Sequence, residues 1–225
     1  MQIKYMEFKK EEIRDLLISV IGLSLLSALF DFSNILVYAV IYGVSTTLKI
    51  VAEKFVAKKY DLDANYSFSY NFFIISLVLS LMSFGSIVFP MLGFITPSQK
   101  QIKRLGKYYS NITISEKGWI SLSGILPSTL LIIASLLLFS LSPSFFQKMM
   151  DINILLLLFS LIPFAKFEGS NILWWNRFLW IGILVCSMIF SFLAIFKINL
   201  ILSLIFLLAV FILVFVSWEN VFKAY

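Results

Sequence analysis

The sequence predicts an all-α polytopic membrane protein with about six transmembrane helices, one re-entrant segment and a small β-element. Three observations predict it. Hydrophobic residues make up 60% of the 225 positions and charged ones 13%, a balance that no soluble domain of this size could cover with polar surface. Runs such as "LLISVIGLSLLSALF" and "LILSLIFLLAVFILVFVSW" have the length to cross a hydrocarbon layer of about 30 Å. The mean hydropathy is +0.97, so the apolar bias runs through the whole chain.

The first span is expected at about 14–31. The stretch before it, "MQIKYMEFKKEEIRDLL", is of mixed charge, and no small-residue cleavage site comes after the apolar run, so it reads as a retained span rather than a leader. The second, at about 34–57, ends in the basic "KFVAKKY". Next, "YSFSY" at 66–70 alternates and suits a strand.

Residues 71–94, opening with "NFFIISLVLSLMSFGSIVFP", could cross or could dip in and return. Charge asymmetry favours the dip. With a re-entrant hairpin here, fifteen of the eighteen basic residues collect on one face, including Lys54, Lys58, Lys59, Lys166, Arg177 and the cluster between 100 and 117. A full crossing would split them. By the same rule both termini and the basic loops are expected on the cytoplasmic side of the cell membrane.

Between 91 and 118, "MLGFI" and "YYSNITI" are β-rich around a basic stretch, which suggests a small surface sheet able to accept a partner strand. Further spans are expected at about 119–142, 152–167, 178–196 and 199–217. The run at 152–167 contains Pro163 and precedes Gly169, so it is expected to break. "WWNRFLW" at 174–180 fits an interfacial aromatic belt. No repeat or linker divides the chain. One domain, 1–225, is expected, with 34–57, 119–142 and 152–167 as its central helices and the spans at 14–31, 178–196 and 199–217 flanking them.

Composition also excludes chemistry. The net charge of +6 belongs with basic membrane loops rather than nucleic acid. Cys186 is the single cysteine and histidine is absent, so the chain can form neither an intramolecular disulfide nor a Cys/His zinc site.

Within the second span, Lys49 and Glu53 lie one turn apart on one helix face. Lys49 sits roughly 13 Å from the anchoring Lys58 at 1.5 Å per residue, too deep for an ordinary flanking lysine. Ionisable groups at that depth mark functional sites or pair with one another. Glu168, beside the expected break, is the third candidate.

Three stretches together resemble the archaeal branch of the site-2 protease family, the intramembrane zinc metalloproteases. "KIVAEKFVAKKY" stands where that family carries H-E-x-x-H, "GWISLSGILPS" where it carries a Gly-Pro segment, and "SLIPFAKFEGS" where it carries N-x-x-P-x-x-x-x-D-G. The resemblance covers most of the chain in the same order. It implies a polypeptide-receiving fold, but the departures fall on the chemistry. The two histidine positions hold Lys49 and Glu53, the general-base position Ile50, the asparagine position Ser160 and the ligand-aspartate position Glu168. In the middle motif Ile125 replaces the proline after glycine.

A protonated ammonium cannot ligate a metal and isoleucine cannot accept a proton, so zinc hydrolysis of the family type is not expected. No metal or other cofactor is implied. The expectation is a pseudoprotease in which Lys49, Glu53 and Glu168 form an intramembrane charge cluster in place of the metal. Such a chain would bind a membrane protein or peptide as subunit, adaptor or regulator, with the lipid bilayer its other partner. Two alternatives stay open: ion or proton movement through the three charged groups, and a residual peptidase using Ser45 and Lys49.

Overall fold

In the computed structural model of the protein, the described residues are 8–29, 32–84, 88–90, 92–99, 112–164 and 166–196. They form seven α-helices and two strands.

Helix α1 (Lys10–Ser27) begins four residues before the expected 14, because the Glu12 carboxylate accepts the Lys9 N–H at 2.9 Å and so satisfies one of the helix's open donors. Helix α2 (Ile35–Lys59) runs for 25 residues, close to the expected bounds. Two residues past its end stands Asp61, whose φ of 57° is the left-handed conformation that turns the chain back.

Strand β1 (Leu62–Phe68) leads into helix α3 (Tyr70–Met82), and the chain then returns to strand β2 (Gly93–Gln99). The strands pair antiparallel, with Leu62 opposite Gln99 and Phe68 opposite Gly93. At the base of the excursion Ser69 N–H donates to the Leu92 carbonyl at 2.8 Å. The segment thus leaves the sheet and comes back to the point of departure. At 13 residues, α3 is about 20 Å long, short of a hydrocarbon layer. Ser76 Oγ donates to the Phe89 carbonyl (2.7 Å) and Ser80 Oγ to that of Leu26 (3.0 Å), which satisfies irregular backbone inside the bundle.

Several expected boundaries move. "YSFSY" is strand only as far as Phe68, the end of β1, since Tyr70 already opens α3. "MLGFI" contributes to β2 from Gly93 onward. The end of "YYSNITI" is no strand: Thr113 is the N-cap of helix α4 (Ile114–Leu137), and the rest of that stretch falls mostly outside the described residues. Thr113 Oγ1 accepts the Glu116 N–H (3.3 Å) while the Glu116 carboxylate accepts the Thr113 N–H (2.9 Å), a reciprocal cap that starts the helix five residues before the expected 119.

The apolar run expected at 152–167 belongs to helix α5 (Pro143–Ser160), which starts nine residues earlier on a proline at its first position. It stops three residues before Pro163. A short helix α6 (Glu168–Trp175) comes next, and then α7 (Arg177–Ile195), capped by Asn176 Oδ1, which accepts the N–H groups of Phe178 and Leu179.

Among the described residues three helical stretches are long and apolar enough to cross a membrane: Phe32–Lys59, Ile114–Leu137 and Arg177–Ile195. Helices α1 and α5 fall short in apolarity, so the expected count of about six is not reached there, and the span at 199–217 lies outside the described residues.

Besides a small cluster of Ala57, Leu62, Ala64 and Ile120, two apolar cores hold the helices. One joins Leu23 and Leu26 of α1, Ile41 and Tyr42 of α2, Phe72 of α3, Phe89, Leu156 and Phe167. Its rings interlock, with Phe72 and Phe167 centroids 5.0 Å apart and Phe89 and Phe159 likewise at 5.0 Å, a spacing that favours tilted aromatic pairs. The other packs Leu122, Ile125 and Ile132 of α4 against α5, α6 and α7. Many large apolar side chains remain outward, among them Leu36, Phe55, Leu130 and Phe178, as a helix surface facing lipid requires.

Candidate functional site

The site lies where α2, α6, β1 and β2 converge. Ser45, Lys49 and Glu53 recur every fourth residue along α2, so they form one column on a single face. Glu168 is the first residue of α6, and the α5–α6 break brings it against that column. The break is tight at Gly169, where a Cβ would collide with the Leu161 carbonyl. A negative side chain in the first turn also suits the positive end of the helix.

The structure brings Lys49 and Glu168 together: Lys49 Nζ lies 2.8 Å from Glu168 Oε1, with both side chains largely buried. The Glu53 carboxyl completes a triad, in electrostatic reach of both Glu168 and Lys49. Glu53 is only 3% exposed, and its Oε1 is packed against α4, where a Cβ at Gly124 would collide with it. Glycine at 124 is therefore what lets α4 approach the acid. Neither Glu53 Oε1 nor Glu168 Oε2 meets a hydrogen-bond partner among the described residues.

The remaining predicted positions do other things. Ile50 is buried and apolar at the wall of the site. Ser160, the last residue of α5, donates to the Leu157 carbonyl at 2.9 Å. Ser45 Oγ is buried without a partner among the described residues, so it makes no bond to Lys49.

Around the triad is a small cleft with about 30 Å³ of free space. Its walls are Lys49, Ile50 and Glu53 on one side, with Tyr66 and the Gly93–Ile95 stretch of β2 on the other. Tyr66 carries no sequence signal as a site residue. Its hydroxyl donates to Ser19 Oγ at 2.7 Å. Burial pushes the phenol up to about 12, and Asp15, Glu168 and Glu53 push in the same direction, so it stays a neutral donor.

A second buried ion pair braces the site from outside. Lys54, expected among the exposed basic residues, instead puts its Nζ 2.7 Å from Glu12 Oε2. Glu12 Oε1 also accepts the Tyr66 N–H at 3.0 Å, so one carboxylate joins α1, α2 and β1. Burial pushes the Glu12 carboxyl up, but Lys54 and the N–H groups of Lys9 and Tyr66 outweigh it and hold it below its usual range. Acidic residues before an apolar run give no hint in sequence that they will be drawn inward. Asn171, whose Nδ2 donates to Ser121 Oγ at 2.8 Å, likewise links α6 to α4 without a sequence signal.

No protein-family model and no solved structure matches the chain. A curated protein of Methanocaldococcus jannaschii named "Putative zinc metalloprotease MJ0611" is 28% identical over 181 residues, which cover 77% of this chain and 88% of that protein. The chain is thus similar, over most of its length, to a protein that carries a metalloprotease name.

Proposed function

We propose, from that likeness and from the charge triad, that this chain is a catalytically inactive site-2 protease-like protein of the cell membrane, a pseudoprotease that receives a membrane protein or peptide without cutting it. The observation that carries the reading is the Lys49–Glu168 ion pair at 2.8 Å. A side-chain cation here fills the role that a zinc ion plays in an active member of the family, linking two helices through an anion of each.

The residues do not suit zinc. The Lys49 ammonium is engaged with Glu168 and offers no lone pair, Ile50 offers no base, and one Glu53 oxygen is packed against Gly124. That leaves two carboxyls, one of them already committed to Lys49, where a catalytic zinc takes three protein ligands and an open position. The chain has no histidine anywhere to supply another. Such a set supports no hydrolytic step.

What the site retains is a cleft between a helix column and a strand, in a chain with helices of membrane-crossing length. In this reading the β1–α3–β2 excursion dips into the bilayer and returns, and the termini and basic loops lie in the cytoplasm. The protein acts as a subunit, adaptor or regulator of its partner. To test this, the full-length protein in nanodiscs is mixed with a labelled transmembrane peptide, and both binding and peptide length are monitored. A bound, uncut peptide is expected. Cleavage, or the absence of any binding across a panel of such peptides, counts against the reading.

A further inference from the structure

We propose that the cleft beside the charge triad is held shut by a clasp, the Lys166 ammonium seated on the face of the Phe94 ring, and that a received polypeptide enters only when this clasp opens. The proposal rests on the reading that the chain receives a membrane polypeptide, and it adds how that reception is gated.

The cleft as it stands has no room for a polypeptide. Its free space is about 30 Å³, whereas sites that enclose even a small organic ligand have roughly 300–1,000 Å³. Thr46 and Lys49 of α2 and Glu168 of α6 stand on one side, and Gly93 to Ile95 of β2 on the other. Admission of a chain segment therefore requires the two walls to part.

Which wall gives follows from how each is fastened. Helix α6 is tied in from behind, where Asn171 Nδ2 donates to Ser121 Oγ of α4 at 2.8 Å. The turn before it is tied to α7, as Trp180 Nε1 donates to the Leu161 carbonyl at 3.0 Å. The Lys49–Glu168 pair joins α6 to α2. Strand β1 is tied to α1, since its Tyr66 and Phe68 N–H groups donate to Glu12 and Asp15. Thr96 and Ser98 of β2, by contrast, turn their hydroxyls back to carbonyls of β1, at 3.4 Å each.

Strand β2 meets the α5–α6 turn through rings and one cation. Lys166 Nζ lies 4.5 Å from the centroid of the Phe94 ring. Phe94 also meets Phe72 edge to face, with centroids 6.3 Å apart, and Phe72 lies 5.0 Å from Phe167, the neighbour of Lys166. Lys166 is exposed and Phe94 half-buried, so the ammonium can exchange the ring for water. A cation on an accessible ring shifts an equilibrium by only about two- to fivefold. That strength suits a latch rather than a permanent brace. The triad stands on α2 and α6, so the Lys49–Glu168 pair stays intact while the β2 wall moves.

The test reads the open fraction directly. In a Cys186→Ser background, which removes the native thiol, Thr46→Cys places a thiol at the cleft wall. Its labelling by the neutral reagent N-ethylmaleimide is timed in the full-length protein in nanodiscs. Lys166→Gln and Phe94→Leu are each expected to label about two- to fivefold faster, and the double variant no faster than either single one. Lys166→Arg and Phe94→Tyr keep a cation and a ring, and are expected to label at the native rate. A site competent only when open gains apparent affinity in proportion to its open fraction. A labelled leucine–alanine peptide of about 20 residues, long enough to span the bilayer, is therefore expected to bind Lys166→Gln more tightly by the same factor. That titration uses the chain with Thr46 and Cys186 in place, so it does not depend on the probe substitutions. Unchanged labelling and peptide affinity in Lys166→Gln and Phe94→Leu, or equal acceleration in Lys166→Arg, overturns the clasp while a bound peptide leaves the receptor reading standing. Faster labelling with no peptide bound by any variant supports the clasp and defeats the receptor reading.

Discussion

The Lys49 ammonium lies 2.8 Å from Glu168 Oε1, and this single contact ties the middle of α2 to the first residue of α6. Glu53, one turn further along α2, is in electrostatic reach of both. The pair therefore links a broken helix to an unbroken one. It also sets what the site can do chemically, because the cation of the triad is a side chain that cannot leave.

Removing one member of the pair strands the other. Lys49→Met and Glu168→Gln are each expected to destabilise the protein by about 3–5 kcal/mol, the usual cost of an uncompensated buried charge. The double variant is expected to lose clearly less than the sum. Denaturant titrations in mild detergent measure all three, and strictly additive losses would remove the case for direct pairing.

Gly124 is predicted to matter through Glu53 alone. A Cβ at 124 collides with Glu53 Oε1, so Gly124→Ala is expected to cost about 1–3 kcal/mol by overpacking. Adding Glu53→Ala makes room for the new methyl group, and the glycine change is then expected to cost less than it does in the native background. Thermal melts of the four proteins decide it. Equal penalties in both backgrounds would show that the collision is not with this carboxyl.

Stability should also depend on pH through Glu12. Its folded-state carboxyl is held below the usual range, as Lys54 and two backbone donors outweigh the upward push of burial. A depressed acid contributes stability that is complete above its unfolded value and is lost as pH falls through the folded one. Melting temperature is thus expected to drop as the solution is acidified below the ordinary carboxylate range, and Glu12→Gln should flatten that drop while lowering stability at neutral pH. An identical acid limb in native and variant proteins would assign the loss to other groups.

The start of α4 offers a simpler check. Thr113 and Glu116 cap each other, and Thr113→Ala is expected to cost about 1 kcal/mol. A melt unchanged by the substitution would place the helix start elsewhere.

Legibility in the sequence depends on the kind of signal each part of the fold leaves. Helices α2 and α7 are long apolar runs, and their ends fall within about two residues of expectation. The break after α5 is visible in Pro163 and Gly169. Helices α4 and α5 start earlier than their apolar runs suggest, because a reciprocal cap at Thr113 begins the one and a proline at the first position begins the other. Thr113 with Glu116, and Ser142 before Pro143, are start signals that precede the apolar stretch. The pairing of β1 with β2 joins strands separated by α3, and no local pattern encodes it. The Lys49–Glu53 spacing is readable because one helix sets it, whereas the place of Glu168 beside them depends on a fold. Lys54 misleads for a physical reason. A lysine near a helix end ordinarily reaches for water, and this one is drawn inward by a carboxylate 42 residues earlier in the chain.

Whether a side-chain cation stands where an active relative would hold its metal is tested most directly by the zinc content and peptide cleavage of the full-length protein, purified from zinc-supplemented cells. Substoichiometric zinc in the native chain and an uncut transmembrane peptide are the predicted result. Stoichiometric zinc together with cleavage abolished by a chelator would contradict it.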